Sequence, residues 1–236
     1  MKKINLMSKI CIIPARGNSK RIKNKNIRKF NDIPMIAFAI RAAFASDLFE
    51  HIIVSTDNYE IVKIAKEFNA EVPFIRPDHL SDDHTDTQSV IKHGIGECEN
   101  LGWNFNFVCC IYPCVPLITT KDIRKSFEIL DYSKNLFVFP IVETNSKPQR
   151  SLGRLKDGNL FSIFPEFENS RTQDLVNGFF DAGQFYWAHK DFWKKSKSIH
   201  NNAKGLIIPK WRAIDIDYEE DWKMAELLYT IQEKRG

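Results

Sequence analysis

Arginine, lysine, serine and asparagine crowd one short stretch of the chain, Pro14-Ala15-Arg16-Gly17-Asn18-Ser19-Lys20-Arg21-Ile22-Lys23-Asn24-Lys25-Asn26. It follows directly on the apolar run Ile10 to Ile13, which reads as a β-strand, and open α/β sheets place their ligands beyond the carboxyl ends of such strands. Gly17 lets the backbone come close to a ligand, and Ser19 with neighbouring N–H groups can donate to phosphate oxygens. Arg16, Lys20 and Lys25 can offset several negative charges, so the chemistry on offer is the binding of a polyphosphate. The plain alternative is a solvated basic loop. Neither the Walker pattern nor the dinucleotide fingerprint is present, which excludes those two routes to a phosphate site.

A second group lies near the other end, in Ile214-Asp215-Ile216-Asp217. If Ala213 to Ile216 is a strand, as its pattern predicts, Asp215 and Asp217 project from one face and can share a divalent cation through hard oxygen ligands; magnesium is the expected metal. Asp217 has a competing reading, since Glu220 stands at the capping-box offset and the pair can open the last helix. None of the six histidines has a partner identifiable from sequence, and no side chain declares itself a general base.

The elements that must position these groups follow a βαβ rhythm. Apolar runs at Ile10 to Ile13, Ile52 to Val54, Phe107 to Ile111 and Leu136 to Ile141 alternate with helical patterns at Pro34 to Ala45, Ile61 to Phe68 and onward from Thr119-Thr120. Asp57 with Glu60 reads as a capping box before the second of these helices. The expectation is one α/β domain spanning residues 1–236, with a mostly parallel mixed sheet and helices on both faces. Between about 142 and 182 the rhythm breaks into polar, aromatic sequence too long for an ordinary loop, which predicts a small insertion, an arm or a subunit contact. The rhythm returns at Phe185-Tyr186-Trp187 and Leu206-Ile207-Ile208 and ends in an amphipathic helix from about Glu219 to Glu233.

The stretch Pro14 to Lys20 with Lys25-Asn26 resembles the signature of the CMP-sialic acid synthetase family of nucleotidyltransferases. The resemblance continues through Ile52 to Asp57, Arg76-Pro77 with Leu80 and Asp83, Tyr112 to Leu117, and Ile214 to Asp217, covering nearly the whole chain. It implies a Rossmann-like nucleotidyltransferase fold, transfer of CMP from CTP to an acidic sugar, and release of pyrophosphate. It further implies that Arg16, Gly17, Asn18, Ser19, Lys20, Lys25 and Asn26 hold the CTP phosphates, with Arg76 near the cytosine, and that Asp215 and Asp217 hold the metal. Arg16, Lys20, Lys25, Asp215 and Asp217 are the catalytic set on this reading.

Acceptor choice is carried by other segments. Asp181-Ala182-Gly183-Gln184-Phe185-Tyr186-Trp187, Arg171 to Leu175 and Phe74 to Pro77 with Leu80 to Asp83 resemble the pseudaminic acid branch of that family. Gln184 and Tyr186 can bond hydroxyl or acylamino groups of a nine-carbon nonulosonic acid, whereas Phe185 and Trp187 also fit plain core packing. Tyr112 departs from the neuraminate enzymes, which carry Gln there. Arg150 stands where related enzymes place a cation for the sugar carboxylate, often across a subunit contact, which implies a homodimer. A second such cation is displaced: Thr172 occupies its position and Arg171 lies beside it.

Bulk properties narrow the field. With 34 basic against 30 acidic residues the net charge is only +4, which does not point to nucleic acid or an anionic membrane as the partner. No apolar run reaches the roughly 20 residues of a membrane span, and Lys9 breaks any leader-like core, so a cytoplasmic enzyme is expected. The five cysteines lack zinc-type spacing and read as buried thiols. The readings that remain beside pseudaminate transfer are a legionaminate or N-acetylneuraminate enzyme, a 3-deoxy-octulosonate cytidylyltransferase, and a catalytically silent nucleotide-binding relative.

Overall fold

A computed structural model of the chain describes residues 8–131 and 136–234. In chain order the strands are β1 Lys9–Pro14, β2 Lys29–Phe30, β3 Ile33–Pro34, β4 His51–Ser55, β5 Phe107–Ile111, β6 Phe137–Glu143, β7 Leu152–Arg154, β8 Leu160–Ser162, β9 Phe179–Asp181, β10 Phe185–His189 and β11 Ala203–Ile207. The helices are α1 Met35–Ser46, α2 Tyr59–Glu67, α3 Thr87–Asn100, α4 Thr120–Ile129, α5 Lys190–Lys195 and α6 Glu219–Glu233.

The main sheet runs β11-β6-β10-β5-β1-β4, with β9 also paired to β6. β1 is parallel to both β4 and β5, and β11 is parallel to β6, while β10 is antiparallel to β5 and β6. Along that path β10 alone is reversed, which gives the mostly parallel mixed sheet that the sequence rhythm predicts. Strand alternation sorts side chains to two faces. Cys11, Ile13, Cys109, Ile111, Phe185 and Trp187 pack on the face covered by α1, α2 and α4. Ile10, Ile12, Val108, Cys110, Tyr186 and Ala188 pack on the face covered by α3 and α5. Phe185 and Trp187 are therefore core residues: both are fully buried, and Trp187 stacks on Phe49 with ring centroids 5.2 Å apart. Among the described residues no helix is long and apolar enough to cross a membrane.

Three local expectations change. Residues 213–217 form an irregular extended segment rather than a strand, because β11 ends at Ile207 and the short 3-10 turn Lys210–Arg212 redirects the chain. The cap of α2 is Asn58, whose Oδ1 accepts from the Glu60 and Ile61 amides at 2.8 and 3.2 Å, and Asp57 is released for other work. α6 is opened by Asp221, whose Oδ2 accepts from the Tyr218 and Asp217 amides at 2.8 and 3.0 Å, so the Asp217 carboxylate is not the cap. A helix unforeseen from the sequence, α3, begins after the Asp86 cap and buries Val90, Ile91, Ile95 and Cys98. It packs close on the sheet at Gly94, where an added Cβ would lie 3.1 Å from Ile12 Cδ1.

Segment 142–182 starts with the end of β6, closes with β9 back on β6, and between them forms the small β7–β8 hairpin. Asn58→Ala removes the α2 cap and is expected to lower stability by about 1 kcal/mol. Urea unfolding should show a lower midpoint with an unchanged slope.

Candidate functional site

Six segments converge at one edge of the sheet. The parallel strands β1, β4 and β5 deliver Ala15 onward, Thr56-Asp57 and Tyr112 from their carboxyl ends. The reversed β10 brings Gly183-Gln184 there from its amino end, because Phe185 pairs with Ile111. Residues 76–87 and 214–217 complete the rim. Together they wall a cleft of about 260 Å³ lined by Arg16, Ser19, Lys20, Lys25, Arg76, Tyr112, Gly183 and Asp215 among others. It lies where β1 is flanked by chains leaving in both directions, the switch point at which open α/β sheets bind ligands.

The cations of the first loop are already paired. Arg16 Nη1 sits 2.6 Å from Asp83 Oδ1 and donates to the Asp82 carbonyl at 2.8 Å, and Lys20 pairs with the other oxygen of Asp83. Lys20 first, then Arg16, hold the Asp83 carboxyl below the usual carboxylate range. Lys25 Nζ donates to the Ile216 carbonyl at 2.6 Å and lies 3.5 Å from Asp217 Oδ1, while Arg21 pairs with the second Asp217 oxygen. Asp215 is exposed at the cleft rim, and partial desolvation, then the neighbouring Asp217, raise its pKa against the pull of Lys25 and Arg21. Cys114 also lines the cleft; burial pushes its thiol up to about 12, and it donates to Asn26 Oδ1 at 3.2 Å.

Arg76 is 3% exposed and its Nη2 has no hydrogen-bond partner among the described residues; Asp57 Oδ1 lies 3.7 Å from it. Burial lowers the guanidinium pKa, with Asp57 opposing and Arg16 reinforcing the shift. A buried cation carrying an unmet donor at a cleft wall is open to an acceptor placed in the cleft.

The expected residues divide as follows. Arg16, Ser19, Lys20, Lys25, Arg76, Tyr112 and Asp215 line the cleft, with Asp217 bound to Lys25 at its rim. Asn26 is buried and also lines the cleft, while its amide donates to the Arg16 carbonyl at 2.8 Å and so holds the loop from within. Gly17 donates its N–H to Asp57 Oδ1 at 2.8 Å, and Asn18 is exposed. Tyr112, whose phenol burial pushes up to about 12, bonds Thr87 Oγ1 at 2.8 Å and meets the Tyr186 ring edge-on at 5.3 Å. Gln184 and Tyr186 lie buried behind that wall. Arg150 and Arg171 stand apart from the cleft of their own chain: Arg150 donates to the Glu168 and Ser170 carbonyls, and Arg171 pairs with Asp174 at 2.8 Å. Asp57 and Asp83 are the site residues that sequence reasoning did not assign.

Gly17 is required by its neighbour. A Cβ there would lie 2.6 Å from Asn58 Nδ2 and 2.7 Å from Asn58 Cβ, and Asn58 is pinned by its capping bonds. Gly17→Ala therefore pushes the loop off Asp57, and titration calorimetry should show nucleoside triphosphate binding weakened by about tenfold, near 1.4 kcal/mol. Adding Asn58→Gly, which removes the obstructing side chain, should recover most of it; no recovery would show that Gly17 serves something other than this close approach.

Comparison with known proteins bears on the same arrangement. Residues 10–159 match the family described as Cytidylyltransferase. The chain is 31% identical over 226 residues to a pseudaminic acid cytidylyltransferase of Campylobacter jejuni, covering 95% of this chain and 97% of that protein. It is also 31% identical over 226 residues to a CMP-N,N'-diacetyllegionaminic acid synthase of Campylobacter jejuni, covering 94% and 95%. A solved structure of CMP:2-keto-3-deoxy-manno-octonic acid synthetase complexed with CTP superposes with a TM-score of 0.69 at 13% identity, over 96% of this chain and 99% of that one. That likeness speaks to the fold, and it agrees with the mixed sheet described above. By family and by near full-length similarity to named enzymes, this chain belongs to the cytidylyltransferases.

Proposed function

We propose that the chain, as a single domain, transfers CMP from CTP to the anomeric hydroxyl of a nine-carbon nonulosonic acid, with pseudaminic acid the first choice of acceptor. The observation that carries this reading is the placing of Arg16, Lys20 and Lys25 with Asp215 around one cleft at the end of β1. The triphosphate replaces the single Asp83 carboxylate between Arg16 and Lys20, because several phosphate charges outbid one carboxylate for two cations. Arg76 supplies its free Nη2–H to an acceptor on the nucleotide. The acceptor's anomeric oxygen attacks the α-phosphorus in line; the O–P bond forms as the bond to the bridging oxygen of the β-phosphate breaks, pyrophosphate leaves with that electron pair, and the hydroxyl proton is released. Positioning and charge neutralisation are the main demands, and Arg16 and Lys20 offset the charge of the leaving pyrophosphate. The relatives named for pseudaminate support the acceptor choice, as does Tyr112 in the cleft wall.

Asp215 and Asp217 present two hard carboxylates on one segment, and among the described residues no third His, Cys, Asp or Glu joins them in a metal-holding group. That donor set fits Mg2+, which takes one or two carboxylates, substrate phosphates and retained waters. When bound it supplies Lewis-acid neutralisation of the reacting phosphoryl group. A cytoplasmic setting is supported by five free cysteines, as thiols persist where the compartment is reducing.

The arm between β6 and β9 leaves Leu152, Leu160, Phe161, Ile163 and Val176 exposed. Exposed apolar side chains on and beyond a short hairpin support a homodimer contact through segment 142–182, delivering Arg150 toward the partner's acceptor. An arm folded back on its own subunit is the competing geometry.

Pyrophosphate release should be fastest with CTP and pseudaminic acid, slower with legionaminic, N-acetylneuraminic and 3-deoxy-octulosonic acids, and abolished by chelation until Mg2+ is restored; equal turnover of UTP would sink the assignment. Asp215→Ala should lower turnover by about 10²-fold or more with its thermal midpoint unchanged. Mixing Arg150→Ala with Asp215→Ala subunits should restore one working site per heterodimer, and a mixture as inactive as its parents despite subunit exchange would place Arg150 in its own chain's service.

A further inference from the structure

Behind the neutral wall of the cleft lies a carboxylate that the reaction as described does not use. Asp181, the last residue of β9, turns its side chain back toward β10. Its Oδ1 accepts the Gly183 N–H at 2.8 Å, and its Oδ2 accepts the Tyr186 phenol at 2.9 Å. The same Oδ2 lies 3.0 Å from His200 Nε2 on the outer side. Gly183 itself lines the cleft and holds φ +63, a left-handed backbone that a side chain strains. Tyr186 is 3% exposed; its ring meets Tyr112 at 5.3 Å, and Tyr112 reaches the cleft with its hydroxyl on Thr87 at 2.8 Å. Burial first, and then Tyr112 and Asp181, raise the Tyr186 pKa, so the phenol keeps its proton and donates it to the carboxylate.

One side chain thus fixes both halves of the wall: the Gly183 turn through the backbone, and Tyr112 through the buried ring of Tyr186. The cations are gathered on the opposite wall by Asp83 and Asp217 and have no bond to this network. We infer that Asp181 is the positioning residue of the acceptor wall, acting through Tyr186 to set where the acceptor sugar's hydroxyl and acylamino groups meet Tyr112 and the Gly183 turn. The inference rests on the transfer reaction proposed above and adds the residue that shapes the acceptor's half of the cleft. Asp181 does not touch the acceptor. Its influence is geometric, and small displacements of a positioning wall are costly to a transfer that needs an in-line approach.

Asp181→Asn and Tyr186→Phe are near-isosteric and are compared with the double variant, in steady-state kinetics varying acceptor and CTP separately. Each single variant should raise KM for the acceptor about tenfold while KM for CTP stays put, and the double should be no worse than the more affected single, because both changes cut the same connection. A general loss of structure moves both KM values together, and that result, or effects that multiply in the double, overturns the inference. A crystal structure of Asp181→Asn needs no acceptor and separates this inference from the proposed function. Release of Tyr112 from Thr87 is expected there even if the wild-type protein turns over none of the sugars offered. A Tyr112–Thr87 bond left intact, with the Gly183 turn unmoved, refutes the positioning role outright.

Discussion

Like charges repel, and the cleft gathers Arg16, Lys20, Lys25 and Arg76 around one wall at the end of β1. The structure meets that constraint by giving each cation an acid or a carbonyl from another segment. Asp83 lies between Arg16 and Lys20, Asp217 beside Lys25, and Asp57 near Arg76. None of these acids is adjacent in sequence to the cation it serves. The loop 76–86, the turn after β4 and the segment before α6 must therefore all be in place before the first loop can hold its shape. In the proposed function a ligand richer in negative charge meets cations that are already gathered, which lowers the reorganisation needed at the moment of binding.

The reversal of β10 is the topological counterpart of that charge arrangement. Had β10 run parallel to β5, Phe185 would not pair with Ile111 and the Gly183 turn would open at the opposite edge of the sheet. Its reversed direction puts the 181–184 turn beside Tyr112, opposite the cations, and gives the cleft one charged wall and one wall of phenol, hydroxyl and backbone. A third apolar cluster locks the rim from below. Ile22 and Ile216 are both buried with Phe30, Met35 and Trp222, so the first loop and the Asp215–Asp217 segment are anchored in one core while their charged neighbours face the cleft.

How far the sequence discloses this depends on whether the signal is local. The strands, the cations after β1 and the paired acids before α6 are local patterns, and the structure brings Arg16, Lys20, Lys25, Arg76 and Asp215 to one cleft. Asp57 was open to misreading because Asp57 and Glu60 have capping-box spacing, while the neighbouring Asn58 fits a cap equally well and takes the bonds. The Gly17 N–H that occupies Asp57 instead lies forty residues away in the chain. α3 was masked by Gly94 and Gly96, which lower helix propensity, although Gly94 is small because α3 lies close over Ile12. Residues 213–217 alternate like a strand but pair with no strand among the described residues, and periodicity alone carries no information about a partner.

Arg76 shows why the free protein is not the state this cleft is built for. A guanidinium 3% exposed, with one nitrogen unbonded and only a carboxylate at 3.7 Å in partial compensation, is costly to keep. Replacing it with an apolar residue would favour the empty fold, whereas withdrawing Asp83 would not, because Arg16 and Lys20 would then repel each other uncompensated. The chain keeps both costs at one place, the cleft wall, while its core on either face of the sheet is apolar and continuous. A ligand that brings acceptors to Arg76 and negative charge to Arg16 and Lys20 together would offset both costs, and in the proposed function that ligand is the nucleoside triphosphate.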